Sequence, residues 1–232
     1  MPRPAASNKI ATFTARDLTL GGVVVVRILG IDPGTQVVGY GCLELAAGGL
    51  PGSSGAASTP LAMRGSNVVR ASAARGGAKL VATGVFRLGK RGDALTSRLL
   101  SLSEQFAALV SELRPTEVAV EEAFFGKSVQ AALRIGEARG VVLAESARAG
   151  LAVHQYAPAR IKRCVAGHGS ARKDTVARML SQMIAELSGA AGRSLPEDAT
   201  DAVAVAWTRL EELRSPLAAA SRRPRGDGMV GR

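Results

Sequence analysis

The chain has 232 residues, which suits a single domain whose core is large enough to fold without disulfides or structural metals. Hydrophobic residues make up 47% and aromatic residues only 3%, so we expect an aliphatic core, while the formal net charge of +11 favours a polyanionic partner, either nucleic acid or an acidic membrane surface. The two cysteines exclude a disulfide framework or a cysteine zinc site, and no apolar run approaches the roughly 18 residues of a spanning helix, which predicts a soluble, cytoplasmic protein.

The first half of the chain is predicted to build three strands in succession. Residues 1–21 are expected to be a disordered extension, with an organelle transit peptide as the alternative because the segment is poor in acid. A β-branched run predicts a strand over Gly22–Ile31, and a second strand over Val37–Leu45 returns antiparallel to it. Residues 46–78 are rich in Gly, Ala, Ser and Pro and are predicted to be a flexible insertion. The third strand follows at Lys79–Leu88.

The second half alternates helices and strands. Asp93 is predicted to cap a helix in which leucines recur at spacings of three and four as far as Leu113, and Pro115 ends it. The further predicted elements are a strand at Glu117–Val120, a helix at Ser128–Gly150, a strand at Leu151–Tyr156 and helices at Pro158–Val165, Ala171–Leu187 and Asp198–Leu213. This order predicts one α/β domain over residues 22–213, followed by a basic disordered tail over residues 214–232.

The first candidate site residue is Asp32, in the sequence IDPGT. It leaves the end of a predicted central strand, and the turn at Pro33 and Gly34 folds the backbone back tightly behind it. The alternative is an Asx turn that only shapes the loop. On its own, the motif is moderate support for a functional carboxylate.

The second candidate lies in VAVEEAFF, where Glu121 and Glu122 end another apolar strand. Successive residues of a strand point to opposite faces, so only one of the two glutamates can share a face with Asp32.

The third candidate is the pair Asp198 and Asp201, three residues apart on a predicted helix. That spacing places both carboxylates on one helix face, where they repel each other unless a cation lies between them. The alternative is ordinary stabilisation of the helix N-terminus by acidic residues.

Together, the four acids Asp32, Glu121, Asp198 and Asp201 offer a set of ligands made only of oxygen. Such a set suits hard cations, which predicts Mg²⁺, two per subunit, with Mn²⁺ as an alternative ion. Two ions about 3.5 to 4 Å apart can activate the attacking water and stabilise the leaving oxygen in phosphodiester hydrolysis. The set therefore predicts a nuclease site.

Five motifs in order carry a specific resemblance: ILGIDPGTQVVGYGCLEL, VAVEEAFFGKS, ALRIGEARGVV, AGHGSARKDTV and EDATDAVAVA. They resemble the RuvC family of Holliday junction resolvases (crossover junction endodeoxyribonucleases), over roughly Arg27 to Glu211 apart from the insertion. The resemblance implies a ribonuclease H-like fold with a five-stranded mixed sheet, three antiparallel strands followed by parallel ones. It also implies that Asp32, Glu121, Asp198 and Asp201 bind the metal ions.

The resemblance further implies a homodimer that makes paired symmetric nicks in four-way DNA junctions, with 5′-phosphate products, in recombination and repair. RuvA and RuvB branch-migration proteins are the implied partners, with no role for a membrane. Phe124 matches an aromatic residue that stacks on a base, a role that Phe125 could share, and both rings could equally belong to the core. Lys162 and Lys173 match residues that contact phosphates, and Arg160, Arg163 and Arg172 extend the predicted DNA surface, although any one of them could lie on a solvated helix face.

Two features depart from the family pattern, namely the extended N-terminus and the long insertion, which is either a spacer or an auxiliary basic DNA arm. Two other functions remain open. An ATPase or kinase of the actin-like superfold also opens with a strand and Asp-x-Gly-Thr, but it needs a second copy of the fold, for which the chain is too short. A protein that binds branched DNA without cutting it would fit the charge, but would leave the four acids unexplained.

Overall fold

The structure is a computed structural model that describes residues 18–20, 23–46, 77–90, 92–122, 129–188 and 195–215. Within these residues, the strands are β1 (Leu18–Leu20), β2 (Val23–Asp32), β3 (Val37–Ala46), β4 (Lys79–Arg87), β5 (Glu117–Glu121) and β6 (Ala152–Tyr156). The helices are α1 (Leu95–Leu113), α2 (Val129–Arg148), α3 (Pro158–Ala166), α4 (Lys173–Met183), α5 (Ala185–Ser188) and α6 (Glu197–Arg214).

The strands form one mixed sheet in the order β4-β3-β2-β5-β6, with the short β1 paired to the start of β2. β2, β3 and β4 are antiparallel neighbours, whereas β5 runs parallel to β2 and β6 runs parallel to β5. The predicted fold class is confirmed, since the five long strands have the antiparallel-then-parallel arrangement expected of a ribonuclease H-like sheet.

Each face of the sheet carries its own apolar core. On one face, α1 and α2 contribute residues such as Phe106 and Val142, which pack against Leu29 and Ile31 of β2. On the other face, α3, α4 and α6 pack against Ile28 and the neighbouring strand residues. Successive residues of β2 therefore belong to opposite cores. Because both faces of the strand are covered, most of its residues are apolar.

Helix α6 lies unusually close to the sheet because glycines lie beneath it. A Cβ atom on Gly30 or Gly39 would collide with backbone atoms of α6, and one on Gly41 would collide with Val203. Glycine within a strand often marks such a close approach of another backbone. α6 itself is buried on nearly all sides and offers mainly small residues to the sheet. The glycines thus determine how near its acidic first turn comes to the strand ends.

Three local predictions were wrong. Asp93 does not cap α1, whose N-cap position is Ala94, because the Asp93 carboxylate instead accepts a hydrogen bond from the backbone N–H of Lys90 at 2.6 Å. The helix predicted over Ala171–Leu187 breaks at Ile184, whose backbone is extended and whose side chain is fully buried in the core. Residues 18–20 of the predicted disordered extension form β1, because β2 extends beyond the start of β5 and leaves an edge that can pair.

The other predicted elements agree with the structure to within a few residues. The bulk of the insertion (residues 47–76), most of the N-terminal extension and the tail from residue 216 lie outside the described residues. Among the helices that are described, none combines the length and apolar character needed to cross a membrane.

Candidate active site

Asp32 and Glu121 are brought together by neighbouring parallel strands. Ile31 pairs with Val120 in the register of β2 and β5, so the next residue of each strand is an acid at the same edge of the sheet. Their side chains share a hydrogen bond. Glu122, one residue further on, is exposed. The prediction that only one glutamate shares a face with Asp32 is confirmed, and that residue is Glu121.

Helix α6 supplies the other two acids from its first turns. Asp198 lies over Gly39, which is the residue opposite Asp32 in the β2–β3 register. Asp201 is one turn further along and, like Asp198, is close enough for its charge to act on Asp32. Acids from β2, β5 and α6 therefore approach each other from widely separated positions in the sequence.

A cleft of about 220 Å³ opens at this point. Its lining combines acidic, basic and apolar side chains from β2, β5, α3, α4 and α6: Asp32, Glu121, Pro158, Ile161, Lys162, Lys173, Val176, Asp201 and Ala204. Asp198 is not among the residues that line it. The predicted acids Asp32, Glu121 and Asp201 thus share one wall with both predicted lysines.

The crowding of carboxylates changes their protonation. Burial, and then the charges of Glu121, Asp201 and Asp198, raise the pKa of Asp32 to about 8. Burial and the charge of Asp201 also raise the pKa of Glu121, opposed by its hydrogen bond with Asp32 and by the two lysines of the cleft. Near neutral pH and without a cation, Asp32 and Glu121 therefore favour holding a proton between them.

Lys173 provides positive charge at the acidic wall. Its Nζ atom lies 2.7 Å from Oδ2 of Asp201 and 2.6 Å from Oε1 of Glu197. Lys162 lines the same cleft and acts on Glu121 through its charge. The two lysines therefore line the cleft together with the acids, where a phosphate that enters the cleft could meet them.

The donor chemistry of the cleft fits a hard divalent cation. Its acids offer only carboxylate oxygens, and a cation between them would remove the repulsion that raises the pKa of Asp32. In the described part of the chain, however, no three Asp, Glu, His or Cys side chains are grouped so that they could hold a metal ion. Lys173 occupies the oxygen of Asp201 that faces it. The acids are neighbours here, but they do not form a closed set of ligands.

The remaining predicted DNA contacts are placed less centrally. Arg160 pairs with Glu212 at 2.8 Å and lies over the ring of Tyr156, and it is not among the residues that line the cleft. Arg163 and Arg172 are exposed on and beside α3 and α4, and Arg172 lies 3.7 Å from Asp174. Phe124 and Phe125 lie outside the described residues.

Several residues that shape the site were missed from the sequence. Gly30, Gly39 and Gly41 interrupt apolar strands, and that interruption was the available signal for the close approach of α6. Arg98 was missed as well: it is buried at the start of α1 and donates to the carbonyl oxygen of Thr35, in the loop that follows Asp32, at 2.8 Å. No local pattern marks that contact, because its partners are 63 residues apart.

Comparison with known sequences gives consistent results. The chain matches the family described as "Crossover junction endodeoxyribonuclease RuvC" over residues 59–209, a range that includes Glu121, Asp198 and Asp201 and begins after Asp32. It is 38% identical to the crossover junction endodeoxyribonuclease RuvC of Heliobacterium modesticaldum, over 77% of this chain and 90% of that protein. The RuvC of Halorhodospira halophila is 35% identical, over 85% of this chain and 97% of its own length.

Comparison with solved structures agrees with the sequence matches. The RuvC of T. thermophilus, solved in complex with a Holliday junction substrate, superposes with a TM-score of 0.62 at 28% identity, covering 82% of this chain and 95% of that one. A yeast mitochondrial Holliday junction resolvase, at 16% identity and a TM-score of 0.53, shares the fold.

Proposed function

The chain belongs to the RuvC family of crossover junction endodeoxyribonucleases, and on that premise we propose that it resolves four-way DNA junctions by paired symmetric nicks in recombination and repair. The observation that carries the proposal is the convergence of Asp32, Glu121 and Asp201 on one cleft that also holds two lysines. A cluster of carboxylates repels a phosphodiester, which is also negatively charged, unless a cation binds between them. The acids therefore fit a metal-dependent nuclease better than a protein that only binds DNA.

Asp32, Glu121, Asp198 and Asp201 are the residues that would hold divalent ions, which we propose to be two Mg²⁺ per subunit, with Mn²⁺ able to substitute. When bound, such ions lower the pKa of a water nucleophile and stabilise the leaving oxygen. The chain supplies the framework: two acids on rigid strand ends, and two on a helix pressed against the same strands. This rigidity supports the proposal, because ligand geometry must be held within a fraction of an ångström.

We propose that Lys162 and Lys173, which both line the cleft, hold the scissile phosphate and offset the charge that develops on it. Arg163 and Arg172 are exposed near them and extend the same basic surface, whereas Arg160 is held by Glu212 and is the weakest candidate for a DNA contact. We propose that Phe124, with Phe125 as the alternative, stacks on an unpaired base at the junction. The net charge of +11 adds general attraction to DNA.

We propose that two copies form the active enzyme, because a four-way junction offers two equivalent strands to cut. Helix α2 carries exposed residues spaced along one face: Val129, Leu133, Gly136 and Gly140. A Cβ atom on either glycine would meet nothing within 4 Å, so the second copy could approach this helix closely. We assign the dimer contact to this face of α2. RuvA and RuvB are the proposed partners in branch migration, and the cytoplasm is the proposed compartment.

The test uses a synthetic four-way junction and a linear duplex of the same sequence, each with and without Mg²⁺. We expect symmetric nicks in the junction alone, and only with the metal. Asp32→Asn and Glu121→Gln are expected to lower cleavage by about a thousandfold or more while junction binding persists, since metal-ion catalysis supplies several kcal/mol. Glu122→Gln is the matched control, because it removes the neighbouring exposed carboxylate, and it should cut normally.

Three results would overturn the proposal. Cleavage by Asp32→Asn at the normal rate would show that Asp32 is not part of a catalytic metal site. Binding to the junction without any cleavage would favour a protein that only recognises branched DNA. ATP hydrolysis in the absence of DNA would favour the actin-like alternative.

A further inference from the structure

Helix α6 and strand β5 meet at two charged positions, and only one of them is in the cleft. At the cleft, Asp201 of α6 acts on Glu121, the last residue of β5. At the other end, Nε of Arg209 donates to Oε2 of Glu117, the first residue of β5, at 2.6 Å. The helix therefore runs antiparallel to the strand, with one polar contact near each end of the strand.

The spacing of the two contacts matches along both elements. Glu117 and Glu121 are four residues apart, which is about 13 Å along a strand, and they point to the same face. Asp201 and Arg209 are eight residues apart, which is about 12 Å along a helix. A shift of α6 along its axis that moves Asp201 away from Glu121 must therefore also break the contact between Arg209 and Glu117.

The distal contact is well protected. The side chains of Arg209 and Glu117 are 11% and 18% exposed. Nη1 of Arg209 also donates to Glu212 at 3.0 Å, and Glu212 accepts a hydrogen bond from the hydroxyl of Tyr156 at the end of β6. Nε2 of His154, also on β6, lies 3.3 Å from the same oxygen of Glu117 that Arg209 contacts. Arg209 thus fastens the helix to β5 directly, and to β6 through Glu212 of the same helix.

Much of the rest of the α6 interface is apolar packing. Ala202 and Ala206 lie directly over Gly30, and Val203, Trp207 and Leu210 are buried in the core. Apolar contacts of this kind are not directional. The first turn of α6 has no side-chain cap, since its N-cap residue is Pro196. Lys173 does hold Asp201, but it is the group that a metal ion would compete with. A directional contact outside the cleft therefore adds to this packing in fixing the axial position of the helix.

We propose that Arg209 is a positioning residue that, through Glu117, sets the axial position of α6 and so holds Asp198 and Asp201 where they can bind metal with Asp32 and Glu121. This inference rests on the proposed function of the cleft. A slip of one helical turn would move Asp201 by about 5.4 Å, and a shift of about 1 Å is already enough to spoil ligand geometry.

The test measures Mn²⁺ binding to the full-length protein without DNA, by electron paramagnetic resonance of the free ion, together with thermal unfolding. We expect Arg209→Met to weaken Mn²⁺ binding at least tenfold and Arg209→Lys to recover part of the loss, because lysine keeps the charge but not the fixed geometry of the guanidinium. Glu117→Gln should weaken binding by an intermediate factor. Junction binding, measured by gel shift in EDTA, should change less than twofold.

Arg214→Met is the matched control. Arg214 lies on the same helix, its side chain is also 11% exposed, and it pairs with Glu211 of α6 itself at 2.8 Å. Its replacement should lower the melting temperature but leave Mn²⁺ binding within twofold. If Arg209→Met binds Mn²⁺ like the unaltered protein, or if Arg214→Met loses as much affinity at equal destabilisation, the inference is wrong. Should Arg209→Met fail to fold, Arg209→Lys decides by the same comparison: unchanged binding overturns the inference, and a loss supports it.

Asp201→Asn separates this inference from the proposed function. If it leaves Mn²⁺ binding unchanged, the metal site itself is misassigned. If Asp201→Asn abolishes binding while Arg209→Met does not affect it, the site stands and only the positioning role fails.

Discussion

The α-carbon of Gly39 lies directly beneath the carbonyl oxygen of Asp198, with no space between them for a side chain. Gly39 is also the residue that pairs with Asp32 across β2 and β3. The residue that pairs with Asp32 is therefore also the residue that Asp198 lies over. The distance between Asp32 and Asp198 therefore depends on the absence of a single Cβ atom.

Gly39→Ala is expected to push the start of α6 away from the sheet and to impair cleavage far more than folding. Overpacking of this kind costs about 1 to 3 kcal/mol, which corresponds to a fall in melting temperature of roughly 3 to 10 °C. Cleavage should fall at least about tenfold while junction binding remains, measured on the same preparation. Gly77→Ala is the control, since a Cβ atom there meets nothing within 4 Å. Normal cleavage by Gly39→Ala would show that α6 can move without cost.

The acid cluster should make the metal-free protein less stable as the pH rises. Burial and the neighbouring acids raise the pKa of folded Asp32 to about 8 from an ordinary value of 3.8, so between these values the folded state binds more protons than the unfolded state. Stability is therefore lost as the pH rises from about 4 to 8. Asp32→Asn removes this charge and should melt at least about 2 °C higher than the unaltered protein at pH 8 in EDTA. A gain at pH 5 that equals the gain at pH 8 would contradict this explanation.

The strand ends and the helical acids were predictable because each is marked locally. A β-branched run followed by Asp-Pro-Gly places Asp32, and the alternation along β5 leaves only one of two glutamates on its face. The order of elements, with the resemblance, was then sufficient for the fold class. Local patterns were less reliable where a residue could adopt either of two structures. Asp93 accepts a hydrogen bond within a turn instead of capping the helix, and Ile184 is buried in the core at the point where the helix breaks.

What the sequence could not supply are contacts between distant residues. Arg209 and Glu117 are 92 residues apart, and the sequence alone gives no sign that either is more than an ordinary surface charge. Their contact becomes evident only when α6 packs against β5. The same holds for Arg160, which proximity in sequence groups with the two lysines predicted to contact DNA, but which pairs with Glu212 in the fold. Helical spacing alone does not determine which partner a long side chain reaches.

The contact between Glu117 and Arg209 should also be visible in the acid stability of the protein. Burial alone would raise the pKa of Glu117, but the neighbouring His154 side chain and the hydrogen bond from Arg209 reverse the effect and lower it from 4.5 to about 2. The stabilisation is therefore present above pH 4.5 and is lost as the pH falls toward 2, with a size on the order of 3 kcal/mol at most. Glu117→Gln should be clearly less stable than the unaltered protein at pH 6, and the difference should shrink by pH 3 in urea unfolding. A difference that does not depend on pH would contradict the ion pair.

A charge on the exposed face of α2 should separate the subunits. Leu133 lies on the face assigned to the dimer contact, and Leu133→Glu would place like charges near each other across a symmetric interface. We expect a monomer by light scattering, with an unchanged far-ultraviolet circular dichroism spectrum. Gln182→Glu adds the same charge to α4, on the opposite side of the sheet, and should remain dimeric. A dimer of Leu133→Glu at the same concentration would place the interface elsewhere.

Lys173 is predicted to have opposite effects on metal binding and on catalysis. The Lys173 side chain is 59% exposed and its ammonium group pairs with Asp201 and Glu197, so it would compete with a divalent ion for the oxygen of Asp201. Exposed ion pairs contribute up to about 1 kcal/mol, and Lys173→Met is therefore expected to tighten Mn²⁺ binding to the DNA-free protein by about two- to fivefold. Junction cleavage should nevertheless fall, because we propose that the same ammonium group holds the scissile phosphate.

Lys162→Met is the informative comparison for that variant. Lys162 lines the same cleft and acts on Glu121 through its charge. Its replacement should slow cleavage with a smaller change in Mn²⁺ affinity than Lys173→Met produces. If Lys173→Met weakens Mn²⁺ binding instead, the lysine helps to position the acids of the cleft rather than competing with the metal ion for Asp201. The metal would then have to bind with the contact between Lys173 and Asp201 intact, leaving Asp201 only its second carboxylate oxygen as a ligand.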